Sequence, residues 1–126
     1  KRQVLTYANA GHPAALVMGP DRSCAWLEPT GMLLCGLPGE VVDREVPFPS
    51  EAAVVLMSDG LLEAFLPDGS EFGPEGLRDA LQGLEAGTRR DPTALLAALV
   101  ATARERIAEW ARDDVTIVAV ARATTP

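Results

Sequence analysis

The sequence predicts an α+β fold. Two observations carry this. Short apolar runs bounded by Gly, Pro, Asn and Asp fill the first half of the chain, the pattern of strands joined by turns. Helix-periodic segments with recognisable start signals fill most of the second half, and a last apolar run, Val115 to Val120, follows them.

Taken in order, Val4 to Ala8 reads as a strand with β-branched and aromatic content. Asn9-Ala10-Gly11-His12-Pro13 is a turn, since Asn and Gly tolerate positive φ and Pro13 disfavours helix at His12. Ala14 to Met18 is a second apolar run, and the spacing predicts a hairpin between the two. After the turn at Gly19-Pro20-Asp21, Cys24 to Leu27 is a third strand. Glu28 to Pro38 reads as a loop with a short apolar piece, Met32 to Cys35. Val41 to Phe48 alternates in part and reads as a strand ended by Pro47 and Pro49.

Ala53 to Met57 is a buried strand, broken by Ser58-Asp59-Gly60, after which Leu61 to Phe65 begins a short helix. Pro67 to Ser70 is a turn. Pro74 opens a helix whose apolar face is Leu77, Leu81 and Leu84, limited by Gly83 and Gly87. Asp91-Pro92 opens the longest helix as N-cap and first residue, with Leu96, Leu99, Val100, Ala103, Ile107 and Trp110 on its core face.

With 126 residues there is room for one core, so the chain is read as one unit, 1–126. It begins Lys1-Arg2-Gln3 and enters an apolar run at once, which reads as a piece of something longer. No apolar run reaches the length of a membrane span, so no membrane partner is expected. Net charge is −7 without a basic patch, which argues against nucleic acid. Cys24 and Cys35 lack metal-ligand spacing and read as two buried reduced thiols of a cytoplasmic protein.

Chemistry concentrates in two acidic turns. Asp59 follows a buried strand, with Gly60 beside it to permit a sharp turn. Asp113 and Asp114 precede the last strand. If the two strands are antiparallel neighbours, these carboxylates share one sheet edge. Carboxylates without a His or Cys cluster suit a hard cation, Mg²⁺ or Mn²⁺. The simpler reading makes Asp59 a helix cap and Asp113-Asp114 the cap of a helix-to-strand turn. Two acids at a helix C-terminus oppose its dipole, so something should compensate them.

Four stretches occur in order at fitting distances: Tyr7 to Pro13, Pro29 to Gly36, Ser58 to Ala64 and Asp113 to Val118. Together they resemble the C-terminal half of the metal-dependent, PPM or type 2C-like, protein serine/threonine phosphatases, in the bacterial SpoIIE-type branch. The resemblance implies two packed antiparallel β-sheets with helices outside, present here as a partial domain. It implies two Mn²⁺ or Mg²⁺ ions and attack of water on phosphoserine or phosphothreonine without a covalent enzyme intermediate. Asp59 matches the metal-binding aspartate of the late D-G motif, which includes Gly60. Asp113 matches that of the terminal D-D or D-N motif, and Asp114 takes the adjacent, more variable place. Many relatives outside the branch hold an Asp at the position of His12, associated with a further metal, and often another acid at the position of Glu63. His12 is usual within the branch, and holding its own turn is the role expected of it. Glu63 reads equally as a helix-surface acid.

The early segment that supplies another metal aspartate in the family is not in this sequence. The resemblance therefore implies a substrate of the anti-sigma-factor-antagonist type and an upstream sensor domain for the parent protein, with an inactive, self-associating isolated piece. Two rivals stand beside it. One is a regulatory or scaffolding module that keeps the fold without the chemistry. The other is a different metal-assisted phosphoesterase, which would not need the Asn-Ala-Gly-His turn.

Overall fold

The computed structural model describes residues 2–122; Lys1 and residues 123–126 of the unit read as 1–126 lie outside them. Six strands and four helices follow in the order β1 (Val4–Tyr7), β2 (Ala15–Met18), β3 (Cys24–Leu27), β4 (Arg44–Pro47), β5 (Ala53–Met57), α1 (Asp59–Leu62), α2 (Gly73–Gln82), α3 (Ala86–Arg90), α4 (Pro92–Arg106) and β6 (Ile117–Ala121). They build a four-stranded antiparallel sheet, β3-β2-β5-β6, and a two-stranded antiparallel sheet, β1-β4.

The side-chain alternation of β2 and β5 explains the layers. Leu16, Met18, Val55 and Met57 point to one face and pack on Leu61, Phe72, Leu77, Leu81, Leu95 and Leu99 from the helices. Ala15, Val17 and Val54 point to the other and pack with Leu27, Phe48, Leu5, Tyr7 and Val46. Strands buried on both faces read as unbroken apolar runs, which is how β2 and β5 appear in the sequence. This gives the helix–sheet–sheet part of the predicted sandwich.

The hairpin predicted between the first two strands does not form. β1 pairs with β4 in the small sheet, while β2 pairs with β3 and β5 in the large one. The turn at 9–13 instead carries the chain between sheets, so Leu5 and Tyr7 pack across from Ala15 and Val17. Asn9 fixes the crossing. Its N–H donates to Thr30 Oγ1 at 3.0 Å, its Nδ2 to Leu27 O at 3.3 Å, and its carbonyl accepts from Thr30 N at 2.8 Å. The strand predicted over Val41 to Phe48 is shorter, because Val41 and Val42 bond back to Gly31 and Thr30.

The long helix starts as predicted, with Asp91 accepting from Thr93 N at 2.9 Å. It ends at Arg106, short of Trp110. The backbone N–H groups of Ala108 and Glu109 both donate to Phe65 O, and Phe65 N donates to Glu109 O, which turns the chain across the end of α1. The buried face is Leu95, Leu99, Ala103 and Ile107. Leu96, Val100 and Trp110, predicted on that face, line an open groove of about 440 Å³ between α4 and β6. α3 has no sequence signal, since Ala-Gly-Thr-Arg-Arg carries no apolar period. Arg89 anchors it, 5% exposed, donating to Gly19 O. The thiols are also less buried than expected: both are free, Cys35 is exposed and Cys24 is partly covered. No helix among the described residues is long and apolar enough to cross a membrane.

Candidate metal centre

β5 and β6 are antiparallel neighbours, with Leu56 opposite Val118 and Met57 opposite Ile117. One residue further in that register, Ser58 faces Thr116. Ser58 N donates to Thr116 O at 2.9 Å, Thr116 N donates to Ser58 Oγ at 2.9 Å, and Ser58 Oγ donates to Asp114 O at 3.0 Å. This clasp ties the segment carrying Asp113 and Asp114 to the end of β5. Nothing in the sequence marks Ser58 or Thr116 as partners. Their signal was available only once the register was known.

Asp59 is the first residue of α1, so it is not the cap. Ser58 takes the cap position and spends its hydroxyl on the clasp instead of on α1. Gly60 is buried against the acidic turn. A Cβ there would lie 2.7 Å from Asp114 O and 3.2 Å from Asp113 O. Only a residue without a side chain lets the two acidic turns approach this closely. The backbones that carry Asp59, Asp113 and Asp114 are thus held together at one sheet edge.

The acidic turn is not a helix C-terminus. α4 ends at Arg106 and the chain runs through seven further residues of non-helical backbone before Asp114 is reached, so the dipole argument for a compensating cation does not apply. Asp59, Glu63, Asp113 and Asp114 are all exposed, and among the described residues no Lys or Arg forms an ion pair with any of them. Asp113 Oδ1 accepts from Asp114 N at 2.8 Å, which orients that carboxylate. Glu63 sits at the C-cap of α1, its N–H donating to Asp59 O.

His12 lies in the turn after β1, where it is held as expected. Its N–H donates to Asn9 Oδ1 at 2.9 Å and its carbonyl accepts from Asn9 Nδ2 at 3.0 Å. Its Nδ1 is 2.9 Å from Pro13 O. A carbonyl only accepts, so Nδ1 donates to it. With Leu56, Met57, Ser58, Thr116 and Val118 the ring lines a cavity of about 160 Å³ beside the clasp.

The donors fit a hard cation in kind but not in number. The acids are all oxygen donors, as Mg²⁺ and Mn²⁺ prefer. Among the described residues, no three His, Cys, Asp or Glu side chains come together as a ligand set.

Helices on one face of a sheet and a second sheet on the other match the fold of PP2C-type phosphatase domains. The family described as Stage II sporulation protein E (SpoIIE) matches residues 1–123, and the chain belongs to that family. Solved structures agree. The RsbU and RsbW domains of Rv1364c from Mycobacterium tuberculosis superpose with a TM-score of 0.77 at 27% identity, over 100% of this chain and 35% of that one. The SiaA-PP2C domain of Pseudomonas aeruginosa gives 0.74 at 25% identity, over 94% of this chain and 46% of that one. The SpoIIE phosphatase domain of Bacillus subtilis shares the fold, at 0.68 and 21% identity over 98% of this chain and 52% of that one. The chain therefore spans between a third and just over half of these structures. No curated protein matches it significantly.

Proposed function

We propose that this chain is the C-terminal part of a SpoIIE-type protein serine/threonine phosphatase domain. In the complete domain, Asp59 and Asp113 are ligands for Mn²⁺ or Mg²⁺, Asp114 and Glu63 are lesser contributors, and His12 shapes the neighbouring turn. The observation that carries this reading is the packing of the Asp113–Asp114 backbone on Gly60, directly beside Asp59. The ions, when bound, would supply polarisation of an attacking water and stabilisation of charge at phosphorus. The chain's own part is to hold the carboxylates. The Ser58–Thr116 clasp sets their separation, Gly60 permits it, and the Asp114 N–H orients Asp113.

The substrate class in this reading is a phosphorylated regulatory protein of the anti-sigma-factor-antagonist type, in the cytoplasm, under an upstream sensor domain. The RsbU/RsbW context of the mycobacterial structure supports a regulatory setting, and the Bacillus structure is described as Mn presoaked. The second reading is a regulatory or scaffolding module that keeps this fold without the chemistry; metal binding and turnover by the phosphatase that contains this chain discriminate the two.

The test uses the phosphatase that contains this chain. A lost charged ligand forfeits several kcal/mol of transition-state stabilisation, so Asp59→Asn and Asp113→Asn should each lower Mn²⁺-dependent hydrolysis roughly 100-fold or more. Both should weaken Mn²⁺ binding in calorimetry, and Asp114→Asn should do less. Folded variants at Asp59 and Asp113 with near-normal metal binding and turnover would overturn the assignment.

A further inference from the structure

We propose that Arg89 and Arg90 form a binding site for a small monovalent inorganic anion of chloride's size, at the opposite end of the large sheet from the acids. The site goes beyond the phosphatase reading and stands or falls independently of it. Its place follows from the register. Met18 lies opposite Ala53, and Ala53 opposite Ala121, so Gly19, Ala52 and Arg122 share one end of the strands. Met57 opposite Ile117 puts Asp59 beyond the other end. α3 is fastened to the first end. Arg89 Nη1 donates to Gly19 O at 3.3 Å, and Arg90 Nη2 pairs with Glu51 at 2.8 Å.

Arg89 carries a charge that its surroundings do not balance. It is 5% exposed, and its buried Nε has no hydrogen-bond partner. Among the described residues no carboxylate forms an ion pair with it. A guanidinium has five N–H donors and does not lose its proton, so burial cannot be relieved by neutralisation. A buried cation is costly unless an anion meets it. The neighbouring acids are engaged elsewhere or turned to solvent. Asp21 accepts from the hydroxyl and N–H of Ser23, Asp91 accepts from Thr93 N, and Glu51 is taken by Arg90. Glu85, the cap residue of α3, is exposed.

Arg89 lines a cavity of about 30 Å³, together with Pro20, Glu51, Ala86 and Arg90. Two guanidiniums and one carboxylate leave this cavity one net positive charge. A water molecule would supply hydrogen bonds there but no charge, whereas one monovalent anion supplies both. Size narrows the ligand further. A cavity needs about 10–15 Å³ to take one water-sized particle, so this one takes a halide or an ion of similar size and excludes a phosphate ester. A bound ion would tie together the turn at Gly19-Pro20, the segment that enters β5 at Glu51, and α3.

The experiment uses the protein that contains this chain, and the probe is chloride itself. Binding is read from the chloride NMR line width. Thermal unfolding is compared in sodium chloride and in sodium gluconate at equal ionic strength, gluconate being too large for the cavity. The wild type should broaden the chloride line saturably and melt a few degrees higher in chloride. Arg89→Gln should weaken binding about tenfold or more and abolish the chloride-dependent rise in melting temperature. Glu51→Gln removes the competing carboxylate and frees Arg90, so it should tighten binding about tenfold. A role for Arg89 in packing alone predicts no such tightening. A wild type without saturable broadening overturns the site, and so does a chloride affinity that Arg89→Gln leaves unchanged. A Glu51→Gln protein that binds no tighter than wild type also overturns it, and this arm decides the question if Arg89→Gln fails to fold.

Discussion

Gly60 shows how one residue can be built for two opposing demands. It lies inside α1, where glycine costs about 1 kcal/mol relative to alanine. On propensity alone Gly60→Ala should stabilise the chain. The close approach decides otherwise, because the added Cβ would stand 2.7 Å from a backbone oxygen, which cannot swing away as a side chain can. Overpacking of this kind costs about 1–3 kcal/mol, which exceeds the helix gain. The expected outcome of Gly60→Ala is a net loss of stability in chemical denaturation and weaker Mn²⁺ binding by the complete domain. Unchanged stability and binding would mean that the approach of the two turns is not what builds the site. Asp59-Gly60 was legible because an unbroken apolar run stops at an acid and a glycine. Asp113 is legible from its place just before a strand expected beside the Asp59 strand, and β5 and β6 do pair antiparallel; only the helix-dipole argument fails, since α4 ends well before it. Ser58 and Thr116 were not legible, because the clasp depends on which strand lies beside which.

At the scale of elements, the turns were the most readable parts, and two of them share one device. Asp21 and Asp68 each accept from the hydroxyl and the backbone N–H of the serine two residues on, at 2.6 and 3.1 Å for Ser23 and 2.6 and 2.9 Å for Ser70. The serine hydroxyl first, and then its backbone N–H, hold each carboxyl below its usual range. With a folded pKa depressed below the unfolded value, the contribution is present above the ordinary aspartate range, about pH 4, and is lost as pH falls through the lowered value. Acidification should therefore loosen the β2–β3 turn and the turn at 67–70 together. An NMR titration should find Asp68 ionising below the ordinary range in wild type and close to it in Ser70→Ala. Identical ordinary titrations in both proteins would remove the device. Pairing was less readable than turns. A five-residue turn between two apolar runs predicts a hairpin from local chemistry, but burial between two sheets sent β1 and β2 to different partners. The length of α4 failed for a similar reason, since backbone bonds to Phe65 outcompeted a further helical turn.

At the scale of the whole molecule, the two sheets are unequal, and the consequence is a face of the larger sheet left uncovered. β1 and β4 cover Ala15, Val17 and Val54, but Leu56, Val118 and Val120 on that same face remain 36%, 48% and 49% exposed. β6 is also an outer strand of its sheet, bonded within the described residues to β5 alone, and Ile117 to Ala121 contains no charge or proline to discourage pairing. Natural edge strands are normally blunted by such residues or covered. A half-exposed valine leaves roughly 1 kcal/mol of burial unrealised, and an open ladder adds unpaired backbone groups to that. We expect the isolated 126-residue chain to recover both by association with a second copy through β6. Sedimentation at micromolar concentration should show dimers or larger species for the wild type. Val118→Lys/Val120→Lys should shift the distribution to monomer with the helical signal in circular dichroism retained, since both side chains point away from the helix layer. A wild-type chain that sediments as a monomer would show that the exposed face is stable in water as it stands. A variant that unfolds would be told apart by the lost helical signal, and Val120→Lys alone, nearer the strand end, then carries the test.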